Sequence, residues 1–404
     1  MKILLYTQFC TPEPIFKSIP FAAELQRRGH EVRILTGFPN YPGGRVYPGY
    51  RVRPLQREVI EGVQVLRVPL IPSHGDSIIG RAINYASFAA TSALPLLGGW
   101  RPDVIYIYNL VTLGCLAAIN HFIRRIPYVI DVQDLWPDSV FLSGMGRPWM
   151  RASLEAFCRF GYRGAARVVT LSPGMADALQ DRGVDPSRLR TIYNWCDEQA
   201  LCGPSSGTAA PPPGFAGRFN ILYAGNMGTV QALDQIIDAA ALVARRAPQV
   251  QFVFMGKGVL SDALQIRART VAPSNTLFLP ARPMQEASLV MGQADVLLLH
   301  LRPSRLFEFT IPSKTQAYMA LGRPILAAIG RDAGHLVEQA RAGIGCRPGD
   351  PESIADAAVQ MSHMDTDTLA RMGRDGRAYY RSELSLSSGV TRWEAVFSEV
   401  VTSS

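Results

Sequence analysis

"FNILYAGNMGTVQALDQII", residues 219–237, decides the fold, because it joins a strand, a glycine turn and a helix in one short stretch. An apolar run with aromatic and β-branched residues leads into Gly225 and Gly228, and apolar residues then recur at helical spacing. A strand that passes through a glycine turn into a helix is the building unit of a parallel sheet covered by helices. The stretch therefore predicts an α/β domain.

Similar strand patterns recur along both halves of the chain and alternate with helical patterns. They cover residues 2–9, 31–37, 63–69, 103–109, 127–133 and 166–172, and then 219–225, 250–256, 275–280, 294–300 and 323–329. Alternation at this spacing predicts two Rossmann-like, doubly wound α/β domains that face a cleft. Such sheets bind ligands at the carboxyl ends of their strands, so we expect the site there.

A segment rich in proline, glycine and serine, residues 199–218, divides the two halves. Its composition predicts a surface linker without regular structure. We expect an N-terminal domain over residues 1–198 and a C-terminal domain over residues 219–384. The remaining residues, 385–404, carry Trp393 and Phe397 at helical spacing. They predict a C-terminal helix that can cross back to the N-terminal domain.

Composition excludes several classes of protein. The six cysteines are scattered without a C-x-x-C pair, which is typical of reduced thiols and not of a disulfide framework or a zinc site. No apolar run is long enough to span a membrane, and the start of the chain resembles a first β-strand more than a secretory signal. The formal charge of +8 favours anionic partners. We therefore expect a cytoplasmic protein.

The segment "IPSKTQAYMAL", residues 311–321, places a lysine where a helix normally avoids one. Ser313 is predicted to cap the helix, and Lys314 follows it at the positive end of the helix dipole. Backbone amides and an ammonium group at one helix end form a site for an anion such as a diphosphate. The alternative is that Lys314 projects into solvent.

Other candidate residues follow predicted strands. Gly225 and Gly256 with Lys257 lie in turns that let the backbone approach a phosphate, although such glycines often only make the turn. Glu308 precedes the Lys314 helix in a charged loop. Asp134 follows the strand at 127–133, where the acids could also cap a helix. Glu13 and Lys17 are the charged members of the turn after the first strand.

The chain resembles the retaining glycosyltransferases of family 4, which have the two-domain GT-B fold. The pieces that carry the resemblance are "LQRRGHEVRILTGFPNYP" (25–42), "DVQDLWPDSVFLSGM" (131–145), "NILYAGNMGTVQALDQIIDAA" (220–240), "ADVLLLHL" (294–301) and "PSKTQAYMALGRPIL" (312–326). They span nearly all of the chain in the right order. They are similar to the bacterial group that builds O-antigen, capsule and colanic-acid-type polysaccharides, including L-fucosamine transferases.

The resemblance implies a site of three parts. Catalytic roles would fall to Lys314, Glu308 and Asp134. The donor would be bound by Gly225, Asn226, Gln231, Gly256, Lys257, Arg282, Phe309, Pro312, Ser313 and Gln316. The acceptor would be bound by Glu13, Lys17, Asn109 and Gln133. This chain also departs from the family, because the usual two glutamates fall on Phe309 and Ala317, and the usual basic pair falls on Asn226 and Gln231.

The implied reaction moves a sugar, with an N-acetylated amino sugar as one candidate, from a nucleoside diphosphate to a glycan carried on a polyprenyl diphosphate. UDP is the expected nucleotide, no cofactor is needed, and no D-x-D motif is present to hold a metal. A nucleotide-sugar 2-epimerase of the same fold and a non-catalytic GT-B partner protein are the alternatives. Nucleic acid is disfavoured because the basic residues are spread along the chain.

Two features predict peripheral attachment at the inner face of the cytoplasmic membrane. The apolar segment 77–100 has few charges, and basic residues are frequent in 43–57 and 147–163. Both would suit an anionic lipid surface. A buried helix explains the first feature as well, and a solvated basic face explains the second.

Overall fold

The computed structural model describes residues 1–15, 17–73, 78–109, 111–142, 148–201 and 211–403. The chain forms two compact units. The first comprises Met1–Ile192 and Gly389–Ser404, and the second comprises Tyr193–Ser388. Each unit is an α/β fold around one mainly parallel sheet, as the sequence predicts.

The boundary between the units differs from the prediction. The first unit ends at Ile192 and not at residue 198. Cys196 is buried in the core of the second unit, and its Sγ donates a hydrogen bond to the Tyr380 hydroxyl at 3.0 Å. The predicted linker also differs at its ends, because Leu201 ends a helix and Phe215 is buried in the same core. Residues 202–210 of that linker lie outside the described residues.

The sheet of the first unit has eight strands in the order β3-β4-β2-β1-β5-β6-β7-β8. These are β1 (Lys2–Tyr6), β2 (Glu31–Gly37), β3 (Gln56–Ile60), β4 (Val63–Val68), β5 (Val104–Tyr108), β6 (Tyr128–Val132), β7 (Arg167–Thr170) and β8 (Leu189–Thr191). All pairs are parallel except the hairpin of β3 and β4. The central strands β5 and β6 are buried at every position, which explains their continuous apolar sequences.

Six α-helices are formed by the described residues that precede the second unit. They are α1 (Ile19–Arg27), α2 (Ile78–Gly98), α3 (Val111–Arg124), α4 (Asp138–Leu142), α5 (Arg151–Arg163) and α6 (Pro173–Gln180). Helix α2 contains most of the apolar segment 77–100. It buries Asn84, Phe88, Ser92 and Leu96 at four-residue spacing, so one face packs on the unit. No helix in the described part of the chain is long and apolar enough to cross a membrane.

The sheet of the second unit has six parallel strands in the order β11-β10-β9-β12-β13-β14. They are β9 (Phe219–Ala224), β10 (Val250–Met255), β11 (Thr276–Leu279), β12 (Val296–His300), β13 (Ile325–Ala328) and β14 (Gly343–Cys346). The order is that of a Rossmann fold, because β10 and β11 follow on one side of β9 whereas β12, β13 and β14 follow on the other. The carboxyl ends of β9 and β12 are thus where a ligand is expected.

The helices of the second unit are α7 (Glu198–Leu201), α8 (Leu233–Arg246), α9 (Ser261–Val271), α10 (Met284–Met291), α11 (Ser313–Leu321), α12 (Arg331–Gln339), α13 (Pro351–Ser362) and α14 (Thr366–Tyr379). Helix α8 has a buried apolar face, and its last turn carries Arg245 and Arg246, where cations complement the helix dipole. Helix α11 ends at Gly322, whose φ of 69° is the left-handed conformation that favours glycine.

The last helix, α15 (Leu386–Thr402), packs on the first unit from Gly389 onward. Trp393 is fully buried, and its ring centroid lies 4.9 Å from that of Tyr106 and 6.2 Å from that of Phe21. Glu394 also pairs with Arg28 at 2.6 Å. The aromatic spacing seen in the sequence is therefore the face that joins α15 to the first unit.

Candidate active site

Lys314 lies at the point where strand order reverses in the second unit. It is the second residue of α11, and its Nζ lies 3.7 Å from the ring centroid of Tyr223 in β9. A Cβ built on Gly225 would meet Lys314 Cε at 2.6 Å and Nζ at 2.7 Å. The amine thus extends from the start of α11 across the end of β9, and it occupies the space that Gly225 leaves free.

The Lys314 amine is half-buried, and no carboxylate of the described residues forms an ion pair with it. Burial lowers its pKa from 10.5 to about 7. A desolvated amine without a counter-charge stabilises an anion strongly once one is bound. The alternative that Lys314 projects into bulk solvent is wrong.

The start of α11 differs from the prediction in one respect. Pro312 occupies the N-cap position with extended φ and ψ of −64° and 145°, and no side chain caps the helix. Ser313 is the first helical residue and is exposed, so it is not the predicted cap. The Thr315 amide donates to the Pro312 carbonyl at 2.9 Å, so the donors that this uncapped first turn retains for an anion are the amides of Ser313 and Lys314.

The turns after β9 and β10 pack tightly against each other. Gly225 and Gly256 have φ values of 133° and 150°, and a Cβ on Gly256 would lie 1.9 Å from the carbonyl oxygen of Gly225. The Met227 amide donates to the carbonyl of Lys257 at 3.1 Å. These glycines are therefore required for close backbone contact, while Asn226 and Lys257 present exposed side chains from the same two turns.

Gln231 supports the β9 turn. Its Oε1 accepts a hydrogen bond from the Gly228 amide at 3.1 Å. Its carbonyl lies 2.7 Å from Nδ1 of His300, whose Nε2 accepts from the Gly349 amide at 3.2 Å. Burial lowers the pKa of His300, so the ring is neutral and donates through Nδ1. Sequence reasoning gave no role to His300, although its position as the last residue of β12 was a signal.

Glu308 lies at the start of α12. Its Oε2 accepts from the Arg331 amide at 3.1 Å, and its carbonyl accepts from the Asp332 amide at 2.8 Å. Its Oε1 accepts no hydrogen bond from the described residues, so one carboxylate oxygen remains available to a ligand hydroxyl. Phe309 is half-buried beside it.

Two other predicted donor residues are engaged elsewhere. Gln316 is 1% exposed, and its amide nitrogen can donate to the Pro312 carbonyl at 2.8 Å. Its side chain therefore faces the interior of the unit, which contradicts the predicted donor contact. Arg282 is exposed after β11 and pairs with Glu286 at 3.6 Å. Ala317 is partly buried and packs against the apolar core, so it offers no polar group to a ribose.

Two predicted acceptor residues are buried in the first unit. Lys17 is fully buried, and its Nζ donates to Oδ2 of Asp131 at 2.7 Å. Glu13 is 3% exposed, and its two oxygens accept from the amides of Cys10, Asn40 and Tyr41, each at 2.8 Å. Burial raises the pKa of Glu13, although the hydrogen bonds from those three amides act in the opposite direction. Both residues shape the loops after β1 and β2, and the predicted acceptor contacts are wrong for them.

The structure brings Asn109 and Asp134 together. They follow β5 and β6, and they exchange two hydrogen bonds of 3.1 Å, one from Asn109 Nδ2 to Asp134 Oδ2 and one from the Asp134 amide to Asn109 Oδ1. Asp134 is exposed. Gln133 is half-buried and donates to Asp131 at 2.7 Å, so it orients the carboxylate that pairs with Lys17.

A buried polar network at the same end of the first sheet was missed by sequence reasoning. Asn84 of α2 accepts from Gln8 and donates to Asn40 at 3.3 Å and to the Ile71 carbonyl at 2.8 Å. It ties the loops after β1, β2 and β4 together. The available signal was an asparagine on the buried face of a mostly apolar helix.

The described residues contain no group of three or more histidine, cysteine, aspartate or glutamate side chains that could hold a metal ion. Lys314 places a positive charge at the carboxyl end of β9 and the start of α11, and Lys257 is exposed on the turn after β10.

Two family models match most of the chain. The model described as "Glycosyl transferase 4-like domain" matches residues 20–195. The model described as "Glycosyl transferases group 1" matches residues 218–363. The first match lies in the first unit except for its last three residues, 193–195, and the second match lies within the second unit.

Two relatives are named as glycosyltransferases. WbjE of Pseudomonas aeruginosa is 26% identical over 255 residues, which are 61% of this chain and 62% of that protein. WcaI of Escherichia coli, named for colanic acid biosynthesis, is 28% identical over 341 residues, which are 80% of this chain and 82% of that protein. The match to WbjE thus spans less than two thirds of its length.

Solved structures share the fold at low sequence identity. HepE of Anabaena in complex with UDP has a TM-score of 0.69 at 18% identity, covering 99% of this chain and 100% of that chain. Sucrose-phosphate synthase of Thermosynechococcus elongatus has a TM-score of 0.66 at 14% identity, covering 100% of each chain. These similarities establish the GT-B fold.

Proposed function

The chain belongs to the glycosyltransferases, with a 4-like domain followed by a group 1 domain, and on that premise we propose that it transfers a sugar from UDP to a lipid-linked glycan. Transfer keeps the anomeric configuration and serves the synthesis of a bacterial surface polysaccharide. The name of WcaI, which refers to colanic acid biosynthesis, supports the process, and the UDP complex of HepE supports the nucleotide.

The observation that carries the proposal is the position of Lys314 against Gly225. A uridine diphosphate at the ends of β9 and β12 would meet one ammonium group, the first amides of α11 and the glycine turns after β9 and β10. At a pKa of about 7 the free amine is only about half protonated at neutral pH. A diphosphate favours the charged form, so binding draws in a proton and completes the ion pair.

In the proposed reaction the bond between the anomeric carbon and the diphosphate breaks as the acceptor oxygen attacks from the same face. Negative charge grows on the leaving diphosphate, and Lys314 stabilises it where it forms. The leaving phosphate takes the acceptor proton, so no protein base is required. The free oxygen of Glu308 would accept from a sugar hydroxyl. Asp134 and Asn109 would bind the acceptor from the first unit.

We propose that the reaction needs no divalent metal, because Lys314 would supply the positive charge that a metal otherwise supplies at a diphosphate. An epimerase is less well supported. Epimerisation at carbon 2 needs acid–base groups, and both ring nitrogens of His300 already contact the backbone. A non-catalytic partner protein would lack transfer activity altogether.

The acceptor proposed here is a glycan on a polyprenyl diphosphate, which resides in the cytoplasmic membrane. We therefore propose that the protein attaches peripherally to the inner face of that membrane.

The test is a screen of labelled UDP-sugars against bacterial lipid extracts, with label measured in the organic phase. Transfer that persists in excess chelator and fails in Lys314→Ala would support the proposal. Label that changes sugar identity without any acceptor would favour the epimerase. UDP binding without transfer to any extract from cells that make surface polysaccharide would favour the non-catalytic partner.

A further inference from the structure

The exposed phenylalanine and tryptophan side chains of the described residues lie on two neighbouring helices of the first unit or in the turn before one of them. Four phenylalanine and tryptophan residues are exposed among the described residues: Phe122 (76%), Trp149 (76%), Phe157 (41%) and Phe160 (53%). Phe122 is on α3, and the other three are on α5 or the single turn before it. Among the described residues of the second unit, the exposed large apolar side chains include no aromatic one; they are Val259, Ile266, Val271, Met284 and Leu289.

Helices α3 and α5 pack side by side. A Cβ on Gly161 of α5 would lie within 3.6–3.7 Å of the Gly114 backbone in α3, and Cys115 Sγ lies 3.6 Å from the Phe157 carbonyl. Small residues at the crossing let the two backbones approach closely. The side chains that point away from the sheet on these helices therefore belong to one layer of the first unit.

The apolar residues of that layer have regular spacing. Ile119, Phe122 and Ile123 occur at positions i, i+3 and i+4 of α3, and Phe157 and Phe160 at i and i+3 of α5. We call these five residues and Trp149 the α3–α5 face. Large exposed aromatic residues are costly in water, and several of them on one layer of two packed helices indicate a binding surface.

The charges carried by helices α3 and α5 themselves are mostly positive. Helix α3 contains no acidic residue and ends at Arg124, which Arg125 follows. Helix α5 carries Arg151, Arg159 and Arg163 against the single acid Glu155. Arg159 and Arg163 are exposed, and their guanidinium groups pair with no carboxylate of the described residues. This charge pattern is complementary to an anionic surface.

We propose that the α3–α5 face binds a bilayer that contains anionic phospholipids. The aromatic rings would lie at the level of the headgroups, where amphipathic surfaces insert, and the arginines would contact lipid phosphates. This inference rests on the proposed membrane attachment and names the surface that makes it. It does not depend on which sugar is transferred.

Flotation of the purified protein with vesicles tests the inference. We expect binding to phosphatidylcholine vesicles that contain phosphatidylglycerol, weaker binding at high salt, and little binding to phosphatidylcholine alone. Phe157→Ser with Phe160→Ser should lower the bound fraction at least about tenfold, and Arg159→Glu should act in the same direction. The matched control is Met284→Ser with Leu289→Ser, which removes two exposed apolar residues from α10 and should leave vesicle binding unchanged.

Two further measurements separate the possible failures. Thermal unfolding and UDP affinity should be unchanged in the Phe157→Ser, Phe160→Ser variant, since both side chains are exposed and the proposed nucleotide site is built from residues of the second unit. Transfer to a water-soluble acceptor analogue should also persist, while transfer to acceptor in vesicles should fall. Equal vesicle binding by the wild type and this variant would overturn the inference while leaving the proposed reaction intact.

Discussion

The Nζ of Lys314 lies 3.7 Å from the ring centroid of Tyr223, and that ring is itself buried in the second unit. The aromatic face attracts a cation and holds the amine over Gly225. Burial opposes the charge and prevails, because it lowers the amine pKa to about 7. Tyr223 therefore holds the Lys314 amine in place, and the charged form of that amine becomes favourable when an anion binds.

Replacing Lys314 should impair the chemical step. We expect Lys314→Ala to lower kcat by about 10²–10³, the loss that follows removal of one charge-stabilising group. Steady-state kinetics measures the loss, and thermal unfolding should show a fold of nearly normal stability. Lys257→Ala is the matched control, because that lysine is exposed on the neighbouring turn and should matter less. Full turnover in Lys314→Ala would remove the proposed role.

Binding of UDP should depend on pH around neutrality. The lowered pKa of Lys314, about 7, means that the ammonium form is present below that pH and is lost as the pH rises through it. UDP should therefore bind with proton uptake, and its affinity should fall above neutral pH. Calorimetry in two buffers of different ionisation enthalpy measures the uptake. Lys314→Met should abolish it, and an unchanged uptake in that variant would assign the proton to another group.

The same pKa has a consequence for stability. The folded state releases the Lys314 proton near pH 7, whereas the unfolded chain holds it to about pH 10.4. The unfolded state thus binds more protons across that window, so this lysine's contribution to stability rises with pH between those values. Compared with wild type, Lys314→Met should gain most in melting temperature below pH 7. A difference that is constant from pH 6 to pH 10 would contradict the burial of the charge.

Gly256 should tolerate no side chain. A Cβ there would lie 1.9 Å from the Gly225 carbonyl oxygen, at a φ of 150°. We expect Gly256→Ala to lower the free energy of unfolding by about 1–3 kcal/mol or more and to weaken UDP binding. Chemical denaturation measures the first effect. Gly43→Ala is the control, since a Cβ at Gly43 meets nothing within 4 Å. Equal stability of the two variants would contradict the close packing of the turns.

The buried pair of Lys17 and Asp131 should be structural. Lys17→Met leaves an uncompensated carboxylate in the first unit and should cost about 3–5 kcal/mol of unfolding free energy. Adding Asp131→Asn should recover part of that loss, which denaturation of the double variant measures. Lys2→Met, at an exposed lysine, is the control. A stable Lys17→Met protein with a raised KM for the acceptor would instead restore Lys17 to the acceptor site.

Asp134 should act on the acceptor and not on the nucleotide. Asp134→Asn retains the bond that the Asp134 amide donates to Asn109 but removes the exposed negative charge. We expect a KM for the acceptor raised about tenfold with UDP affinity unchanged, since the two ligands would lie on different units. Asp177→Asn, an exposed residue of α6, serves as the control. Unchanged acceptor kinetics in Asp134→Asn would exclude the residue from the site.

Much of the fold could be read from the sequence because central parallel strands are buried on both faces. The runs that became β1, β5, β6, β9 and β10 are almost entirely apolar and flanked by turn residues, so their type and place were predictable. The edge strand β3 was missed. Its residues alternate between half-buried and exposed positions and include Gln56, Arg57 and Glu58, and it pairs only with β4.

The candidate site was only partly predictable. The unusual placement of Lys314 after Ser313 was a local signal, and it led to the residue that the fold holds over Gly225. The roles of Lys17, Glu13 and Gln316 could not be predicted from the sequence. A lysine, glutamate or glutamine in a loop or first helical turn has the same sequence signature whether it contacts a ligand or another residue of the chain. Lys17 meets Asp131, which is 114 residues away.

The sequence by itself determined the order of strands and helices, the glycine turns and the excess of positive charge, because these depend on near neighbours along the chain. Only the tertiary structure decided which charges are buried in pairs and which remain without a counter-charge. Desolvation and ion pairing act through space over a few ångströms, and residues at those distances are set by the packing of the sheet. That is why Lys17 is neutralised by Asp131 while Lys314 is held beside Tyr223 for an anion.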